Sequence, residues 1–372
     1  MDGLGLYVHF PWCVRKCPYC DFNSHPQRGR LPEVEYVDAL LADAADALAD
    51  VAPGSIRSVF CGGGTPSLFS PAAFGRLLDA LAPYLAVDVE VTMEANPGTA
   101  EHHDFAGYRR AGINRISLGA QSFDDAMLTR LGRIHGAADT GRALALVRRA
   151  GFDNVNLDLM YGLPGQTAAA AMADLEAALR LEPAHLSWYQ LTIEPKTEFA
   201  RRPPLLASDS EVEDMEGAGH ARLADAGFTR YEVSAYARDG RQCRHNLNYW
   251  TFGDYLGIGA GAHGKRSRRS DSGIDVVRTR KASQPRLYLG SPTATVRDAV
   301  APAERVAEFL MNVLRLRDGV PWTRLPEATG LSRDALSPTW DDLVRQGLLR
   351  DDRIAATALG YRHLDGVLQQ FL

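Results

Sequence analysis

The 372-residue sequence has few cysteines, no excess of basic residues and no long apolar run. A membrane-spanning helix needs roughly 20 consecutive apolar residues, so none is expected. The segment from Met1 to Phe10 is too short and too polar for a secretory signal peptide, which predicts a cytoplasmic location. The 46 acidic and 41 basic side chains give a formal net charge of −5. Because a phosphate-binding surface is normally basic, no nucleic-acid partner is expected.

The five cysteines are too few, and odd in number, for a disulfide framework. Three of them, Cys13, Cys17 and Cys20, have the spacing Cys-x3-Cys-x2-Cys. Thiolates on one tight loop can hold three irons of a cubane and leave the fourth iron open, as a reactive metal site requires. A zinc site with His9 or His25 as fourth ligand is the alternative, together with an incidental group of thiols. The spacing and the position after the first predicted strand favour the iron–sulfur cluster.

Short β-rich runs alternate with longer helical patterns, which is typical of βαβ units and a parallel sheet. Strands are predicted at Leu6–Phe10, Ile56–Cys61, Val89–Ala95, Arg115–Ala120, Val155–Met160 and Leu186–Ile193. Helices are predicted at Pro32–Ala49, Ser70–Leu81, Ala168–Arg180 and Ser210–Ala226. Six strand–helix units with right-handed crossovers predict an α/β fold built on an open parallel (β/α)6 barrel.

Three regions are predicted along the chain: a barrel core at 1–200, an extension and linker at 201–300, and a small C-terminal domain at 301–372. The last region combines helices at Ala303–Leu316 and Arg333–Gln346 with a hairpin-like Leu348–Ala355 and a final helix, which predicts a winged-helix-like α+β domain. Its nine arginines are balanced by ten acidic residues, so DNA reading is not expected.

The segment Lys265–Lys281 holds seven basic and two acidic residues without a helical period. We interpret it as a mobile, solvated surface loop. Haem propionates, acidic lipid at a membrane surface and an acidic partner are the alternative contacts for this segment.

Polar residues follow the predicted strands at the point where each strand ends. They are Cys13–Cys20, Gly62–Pro66, Glu94 and Gln121, while Asp158 lies within the fifth strand. Ligands of parallel α/β folds bind at the carboxyl ends of the strands, so these residues are expected to meet at one mouth of the barrel.

The motifs resemble those of the radical S-adenosylmethionine (SAM) superfamily, and in particular the HemN/HemW group of coproporphyrinogen dehydrogenase-like proteins. The matching strings are Tyr7–Cys13, Gly62–Ser67, Glu94–Pro97, Ser117–Phe123, Leu131–Arg133 and Asn156–Thr167. The C-terminal region is similar to the small terminal domain of that group.

This resemblance implies a [4Fe-4S] cluster on Cys13, Cys17 and Cys20, with SAM bound beside it. The implied SAM contacts are Tyr7, Tyr19, Gly63, Gly64, Thr65, Glu94, Gln121, Arg133 and Asp158. The glycines and Thr65 would approach the amino end of SAM, because glycine allows close backbone contact, and Glu94 would supply a carboxylate. Taken alone, any one of these residues is equally well explained as an ordinary hydrogen-bonded residue at the barrel rim.

The group contains two functions. HemN-like enzymes oxidatively decarboxylate two propionates of coproporphyrinogen III, whereas HemW-like proteins bind haem and deliver it to haem proteins. The cluster motif of the HemN-like enzymes has an extra cysteine two residues beyond the third. Phe22 stands at that position here. The enzymes also carry a sizeable extension before the cluster motif, whereas only twelve residues precede Cys13 in this chain.

The string His245-Asn246-Leu247-Asn248-Tyr249-Trp250 is similar to the His-Asn-x-x-Tyr-Trp motif of HemW-like proteins. The resemblance implies haem contacts by His245, Asn246, Tyr249 and Trp250, since imidazole is a good axial ligand and aromatic rings pack on porphyrin faces. A buried packing histidine is the alternative, and Cys243 is interpreted as a buried cysteine, with thiolate ligation as the second choice. The sequence therefore predicts a haem chaperone whose cargo is haem and whose partners are haem-accepting proteins. The alternatives are an oxygen-independent coproporphyrinogen III dehydrogenase and, less favoured, RNA modification; no catalytic residue is assigned.

Overall fold

The computed structural model describes residues 3–98, 104–238, 240–270 and 273–372. The strands are β1 (Leu4–Phe10), β2 (Trp12–Cys13), β3 (His25–Pro26), β4 (Ile56–Gly63), β5 (Leu85–Ala95), β6 (Arg115–Gln121), β7 (Val155–Tyr161), β8 (His185–Gln190), β9 (Thr229–Glu232), β10 (Ala235–Ala237), β11 (Tyr255–Ile258), β12 (His263–Ser270), β13 (Gly273–Arg280) and β14 (Val296–Ala299). The helices are α1 (Glu33–Ala47), α2 (Pro71–Leu81), α3 (Phe105–Arg110), α4 (Asp125–Arg130), α5 (Ala137–Arg149), α6 (Ala168–Arg180), α7 (Glu198–Arg201), α8 (Asp209–Asp225), α9 (Arg244–Trp250), α10 (Pro285–Gly290), α11 (Pro302–Val313), α12 (Arg324–Thr329), α13 (Thr339–Arg345), α14 (Ala358–Arg362) and α15 (Leu364–Gln369).

A single large sheet organises the molecule, in the order β14-β13-β12-β11-β1-β4-β5-β6-β7-β8-β10-β9. Strands β1, β4, β5, β6, β7 and β8 are neighbours and pair in parallel. These are the six predicted strands, so the open parallel barrel is confirmed. Strand β11 adds a further parallel strand beside β1, and β9, β10 and β12–β14 extend the sheet with antiparallel pairs.

Helix α2 illustrates how local sequence determines these elements. Ser70 caps it by accepting a hydrogen bond from the amide of Ala73, and Pro71 occupies the first turn, where no amide donor is needed. Its apolar face then buries Phe74, Leu77, Leu78 and Leu81 against the sheet. Burial of each such side chain stabilises the fold by about 1.5–3 kcal/mol.

The basic segment Lys265–Lys281 was predicted as a mobile loop, and that prediction is wrong. Apart from residues 271–272, which lie outside the described part of the chain, the segment is the antiparallel hairpin β12–β13. Ile274 and Val276 alternate with outward residues and pack in a small apolar cluster. Arg266 and Arg268 pair with the carboxylate of Asp50 on the neighbouring surface. The high charge density obscured a period-2 pattern.

The C-terminal region forms its own core around Phe309, Leu310, Leu325, Trp340 and Ile354. Its β content consists of isolated bridges: Val320 with Ile354, Leu349 with Ala356, and Leu316 with Glu232 of β9.

The single helix predicted at Arg333–Gln346 is interrupted. A 3-10 turn at Arg333–Leu336 precedes α13, because Pro338 prevents a continuous helix. The second core also takes in Phe252 from the preceding region, and the predicted boundaries at residues 200 and 300 remain predictions. Within the described residues, no helix is both long and apolar enough to span a membrane.

Candidate functional site

A cavity of about 490 Å³ opens at the carboxyl ends of the parallel strands. We call it the mouth cavity. Cys13, Cys17 and Cys20 line it. Glu94 from β5 and Asp158 from β7 line it as well. The sequence prediction that the strand ends converge on one mouth is therefore correct for these residues.

The three cysteines are free thiols: Cys13 ends β2, and Cys17 and Cys20 lie on the compact loop that leads to β3. The amide of Cys20 donates to the carbonyl of Cys17 at 3.1 Å, which tightens the loop. A guanidinium nitrogen of Arg133 lies 3.8 Å from the sulfur of Cys17. Burial raises the pKa of the Cys13 and Cys20 thiols, and a bound metal would reverse that effect by stabilising the thiolates.

The zinc alternative is not supported by the arrangement of the histidines. His9 donates from Nε2 to the carbonyl of Asn23 at 2.8 Å, and the Tyr7 hydroxyl lies 2.9 Å from its Nδ1. His25 is engaged with the side chain of Asn23 at 3.2 Å. In the described part of the chain, no three His, Cys, Asp or Glu side chains form a group suited to one metal ion. The thiolates of a cubane bind separate irons, so this observation does not oppose a cluster.

Gly63 and Gly64 line the mouth cavity. Glycine is required at both positions because an added Cβ would collide with other atoms of the protein. Gly63 has φ +109°, and an added Cβ would lie 2.4 Å from the ring of His9. A Cβ on Gly64 would lie 2.5 Å from the carbonyl oxygen of Trp12. The two glycines allow the end of β4 to pack directly against the cluster loop, where Thr65 is held by its amide to Trp12 at 2.7 Å.

Two half-buried carboxyl groups, those of Glu94 and Asp158, face the mouth cavity. Burial, and secondarily the charge of Asp158, raise the pKa of Glu94 to about 8, although the amide of Gly63 donates to it at 3.1 Å. Burial also raises the pKa of Asp158. Asn156 and Ser117 donate to Asp158 at 2.7 and 3.1 Å. Half-buried carboxylates in this setting fit a ligand that brings an ammonium group and hydroxyl groups.

Gln121 and Arg133 also line the mouth cavity. Gln121 has φ +67° at an irregularity between β6 and β7, and such strained backbone is common at functional sites. Its side-chain oxygen accepts a hydrogen bond from Tyr189 at 2.9 Å. Arg133 donates to the carbonyl of Gly119 at 2.8 Å, while its buried Nε has no protein partner in the described structure. Sequence analysis missed Tyr189, although its position near the end of β8 was a usable signal.

Of the nine residues predicted to contact SAM, eight line the mouth cavity, including Tyr19 on the cluster loop. Tyr7 does not. Its ring lies deeper in the barrel, 6.4 Å from the rings of Phe60 and His245. In this structure Tyr7 supports His9 through its hydroxyl, and its direct SAM contact remains a prediction.

The predicted haem motif forms α9, which lies at the opposite end of the barrel. His245 is only 1% exposed. Its Nδ1 lies 3.0 Å from the hydroxyl of Ser58, and its Nε2 lies 3.0 Å from the hydroxyl of Tyr249. Burial lowers the pKa of His245 to about 3, so the ring is neutral. Both ring nitrogens therefore already have hydrogen-bond partners.

The remaining motif residues lie nearer the surface. Asn246, Tyr249 and Trp250 are half-buried. The guanidinium of Arg315, from the C-terminal region, stacks over the Trp250 ring at 4.3 Å. The structure places the motif residues together on one short helix, which the sequence did not predict, and this helix does not line the mouth cavity. Cys243 is 1% exposed and lies 3.7 Å from the carboxylate of Glu90.

Comparison with known proteins gives consistent results. Residues 7–178 match the Radical SAM superfamily, and residues 300–363 match the HemN C-terminal domain. The chain is 46% identical over 376 residues to "Heme chaperone HemW" of Escherichia coli, covering 100% of this chain and 99% of that protein. It is 36% identical to the Mycobacterium tuberculosis (strain H37Rv) protein of the same name, covering 99% and 94% of the two chains.

Among solved structures, coproporphyrinogen III oxidase (HemN) from Escherichia coli superimposes with a TM-score of 0.79 at 22% identity. The alignment covers 100% of this chain and 90% of that chain. At this identity the likeness establishes the fold and nothing further. The full-length identity, by contrast, establishes that the chain belongs to the HemW family of the Radical SAM superfamily.

Proposed function

We propose that this protein is a haem chaperone that holds a SAM-ligated iron–sulfur cluster at the barrel mouth and delivers haem to haem proteins. The observation that carries this proposal is the 46% identity, over the whole chain, to a protein named "Heme chaperone HemW". The composition of the mouth cavity supports the cofactor part of the proposal. The haem-accepting proteins are its proposed partners.

Cys13, Cys17 and Cys20 would hold the cluster. Their loop is packed against β4 through Gly64 and Thr65, whose amides donate to Phe10 and Trp12 of the opposing segment at 2.7 Å. When bound, the cluster supplies an open iron for the amino and carboxylate groups of SAM and one electron for its sulfonium. The protein supplies the enclosed cavity and fixed polar groups around that position.

The chain's own residues would orient SAM within this cavity. Glu94 would accept from the ammonium group, which favours the ionised carboxylate despite its raised pKa. Arg133 would donate a hydrogen bond from its unpartnered Nε to the SAM carboxylate. Gln121 and Asp158 would take polar contacts to the carboxylate and ribose, and Tyr19 would lie against the adenine.

Haem ligation by His245 would require a change of conformation. Neither ring nitrogen is free, because Ser58 is hydrogen-bonded to Nδ1 and Tyr249 to Nε2. The Tyr249 side lies nearer the surface, because Tyr249 is half-buried whereas Ser58 is buried. We therefore propose that Tyr249 swings away to present Nε2 to iron, with Asn246 and Trp250 flanking the porphyrin.

The enzymatic alternative has less support. The full-length relatives named above are haem chaperones, and the likeness to HemN concerns the fold alone. Phe22, which stands in place of the extra cysteine, is 58% exposed at the lip of the mouth cavity.

One paired experiment tests the proposed function. The cluster is reconstituted anaerobically, hemin is titrated, and the Soret band is followed in the wild type and in His245→Ala. In parallel, the protein is incubated with coproporphyrinogen III, SAM and a strong reductant. We expect hemin binding, weakened in His245→Ala, and no decarboxylation. Turnover to protoporphyrinogen, or no hemin binding, would overturn the proposal.

A further inference from the structure

A chain of hydrogen-bonded groups connects the mouth cavity with α9 across the inside of the barrel. We call it the barrel column, and it consists of Asp158, Asn156, His185, Tyr231 and Cys243. At its upper end, Asn156 donates from Nδ2 to the carboxylate of Asp158 at 2.7 Å. The side-chain oxygen of Asn156 accepts from Nδ1 of His185 at 2.6 Å.

The lower end of the barrel column reaches the backbone that begins α9. The hydroxyl of Tyr231 lies 2.8 Å from Nε2 of His185 and 3.2 Å from the amide nitrogen of Cys243. Burial lowers the pKa of His185 well below its ordinary value, so the ring is neutral. Because Nδ1 donates to Asn156, Nε2 must accept from Tyr231, whose oxygen in turn accepts from Cys243. Every hydrogen bond of the barrel column therefore has a defined direction.

A second anchor holds the same stretch of backbone. The carboxylate of Glu90, itself buried, accepts from the amide of Arg244 at 3.0 Å and from the amide of His245 at 3.4 Å. The start of α9 is thus fixed by Tyr231 on one side and Glu90 on the other. A movement of the α9 backbone that accompanies the release of His245 from Tyr249 has to work against this hold.

We infer that the barrel column couples the mouth cavity to α9, so that SAM at Asp158 loosens the hold on α9 and eases access to His245. This inference rests on the proposed function and adds a regulatory link to it. In the ligand-free site, Asn156 and Ser117 both donate to the Asp158 carboxylate. A ligand hydroxyl competes for the same lone pairs and weakens the hydrogen bond between Asp158 and Asn156. This weakening is transmitted through His185 to Tyr231. Tyr231 and His185 are positioning residues, and neither lines the mouth cavity.

The chain offers a matched pair of tyrosines for the test. Tyr231→Phe removes the hydroxyl that joins His185 to Cys243 while leaving the ring in place. Tyr236→Phe is the control, since Tyr236 is also buried, pairs on β10 beside β9, and has a buried hydroxyl without a partner in the described structure. Full-length, cluster-reconstituted protein is titrated with hemin with and without SAM. Hydrogen exchange of the amides at 244–250 is measured with and without SAM.

We expect SAM to tighten hemin binding of the wild type about fivefold or more, within the usual range of allosteric coupling. SAM should also speed exchange of the α9 amides. Both effects should persist in Tyr236→Phe and disappear in Tyr231→Phe. Equal SAM effects in the wild type and Tyr231→Phe would overturn the inference, as would α9 exchange that does not respond to SAM in the wild type. Hemin that fails to bind at all would contradict the proposed function instead, and the exchange measurement would still decide the inference, even if Tyr231→Phe does not fold.

Discussion

The hydroxyl of Tyr249 lies 3.0 Å from Nε2 of His245, the ring nitrogen that the proposed haem ligation would use. The two residues are one helical turn apart on α9, so the contact is set within a single short element. Their rings meet edge to face with centroids 4.8 Å apart. The motif that suggests haem binding therefore also contains the tyrosine that blocks Nε2 of its histidine.

Tyr249→Phe should strengthen hemin binding. The substitution removes the hydrogen bond that must break before His245 is free, and a net contribution of about 1 kcal/mol corresponds to roughly a fivefold gain in affinity. Hemin titration followed at the Soret band measures the effect. Tyr255→Phe is the control, because Tyr255 packs against the ring of Tyr249 but its hydroxyl accepts a hydrogen bond from Arg278. Unchanged affinity in Tyr249→Phe would argue against His245 as the ligand.

Substitution of any one of the three loop cysteines by alanine should abolish the reconstituted cluster. Each thiolate would hold a different iron of the cubane, and the loop carries no fourth cysteine. Iron and sulfide content and the visible absorption spectrum measure this. Cys61→Ala should retain the cluster, because Cys61 lies on β4 with its side chain fully buried in the apolar core. A stoichiometric cluster in Cys17→Ala would show that the ligand set is wrong.

Glu94 should make the SAM-free protein less stable as pH rises. Its folded-state pKa of about 8 lies above the ordinary value of 4.5, so the folded state retains a proton that the unfolded state has lost between these two values. The free energy of unfolding should fall across that window and level off above it.

Glu94→Gln should remove this contribution. The variant should unfold at a higher temperature than the wild type near pH 8, match it more closely near pH 4.5, and bind SAM more weakly. Thermal unfolding across pH, together with SAM titration, measures both effects. A pH profile of stability identical to that of the wild type would contradict the raised pKa.

Gly64→Ala should destabilise the protein and disrupt the cluster loop. The added Cβ would lie 2.5 Å from the carbonyl oxygen of Trp12 and 2.8 Å from that of Phe10, and backbone atoms cannot move aside cheaply. Gly75→Ala is the matched control on α2, where the Cβ meets nothing within 4 Å. In an exposed or open helical site this change stabilises by about 0.4–1 kcal/mol. Urea unfolding should separate the two variants in opposite directions.

Much of the barrel could be predicted from the sequence because its signals are local. Helix α6 was predicted at Ala168–Arg180 and has those bounds, since Thr167 caps its start by accepting from Ala170. The hairpin β12–β13 was missed for a physical reason. Charged side chains on alternate positions find partners on other elements, such as Asp50 for Arg268, and local composition does not reveal those partners.

The sequence by itself determined the alternation of strands and helices, the cluster loop and the family to which the chain belongs, because these are written in local periodicity, caps and short motifs. Only the tertiary structure decided where the motif residues point. His245 meets Ser58 across 187 positions of the chain, and Gln121 meets Tyr189 across 68. Such contacts depend on which strands lie side by side in the sheet, and no local pattern specifies them.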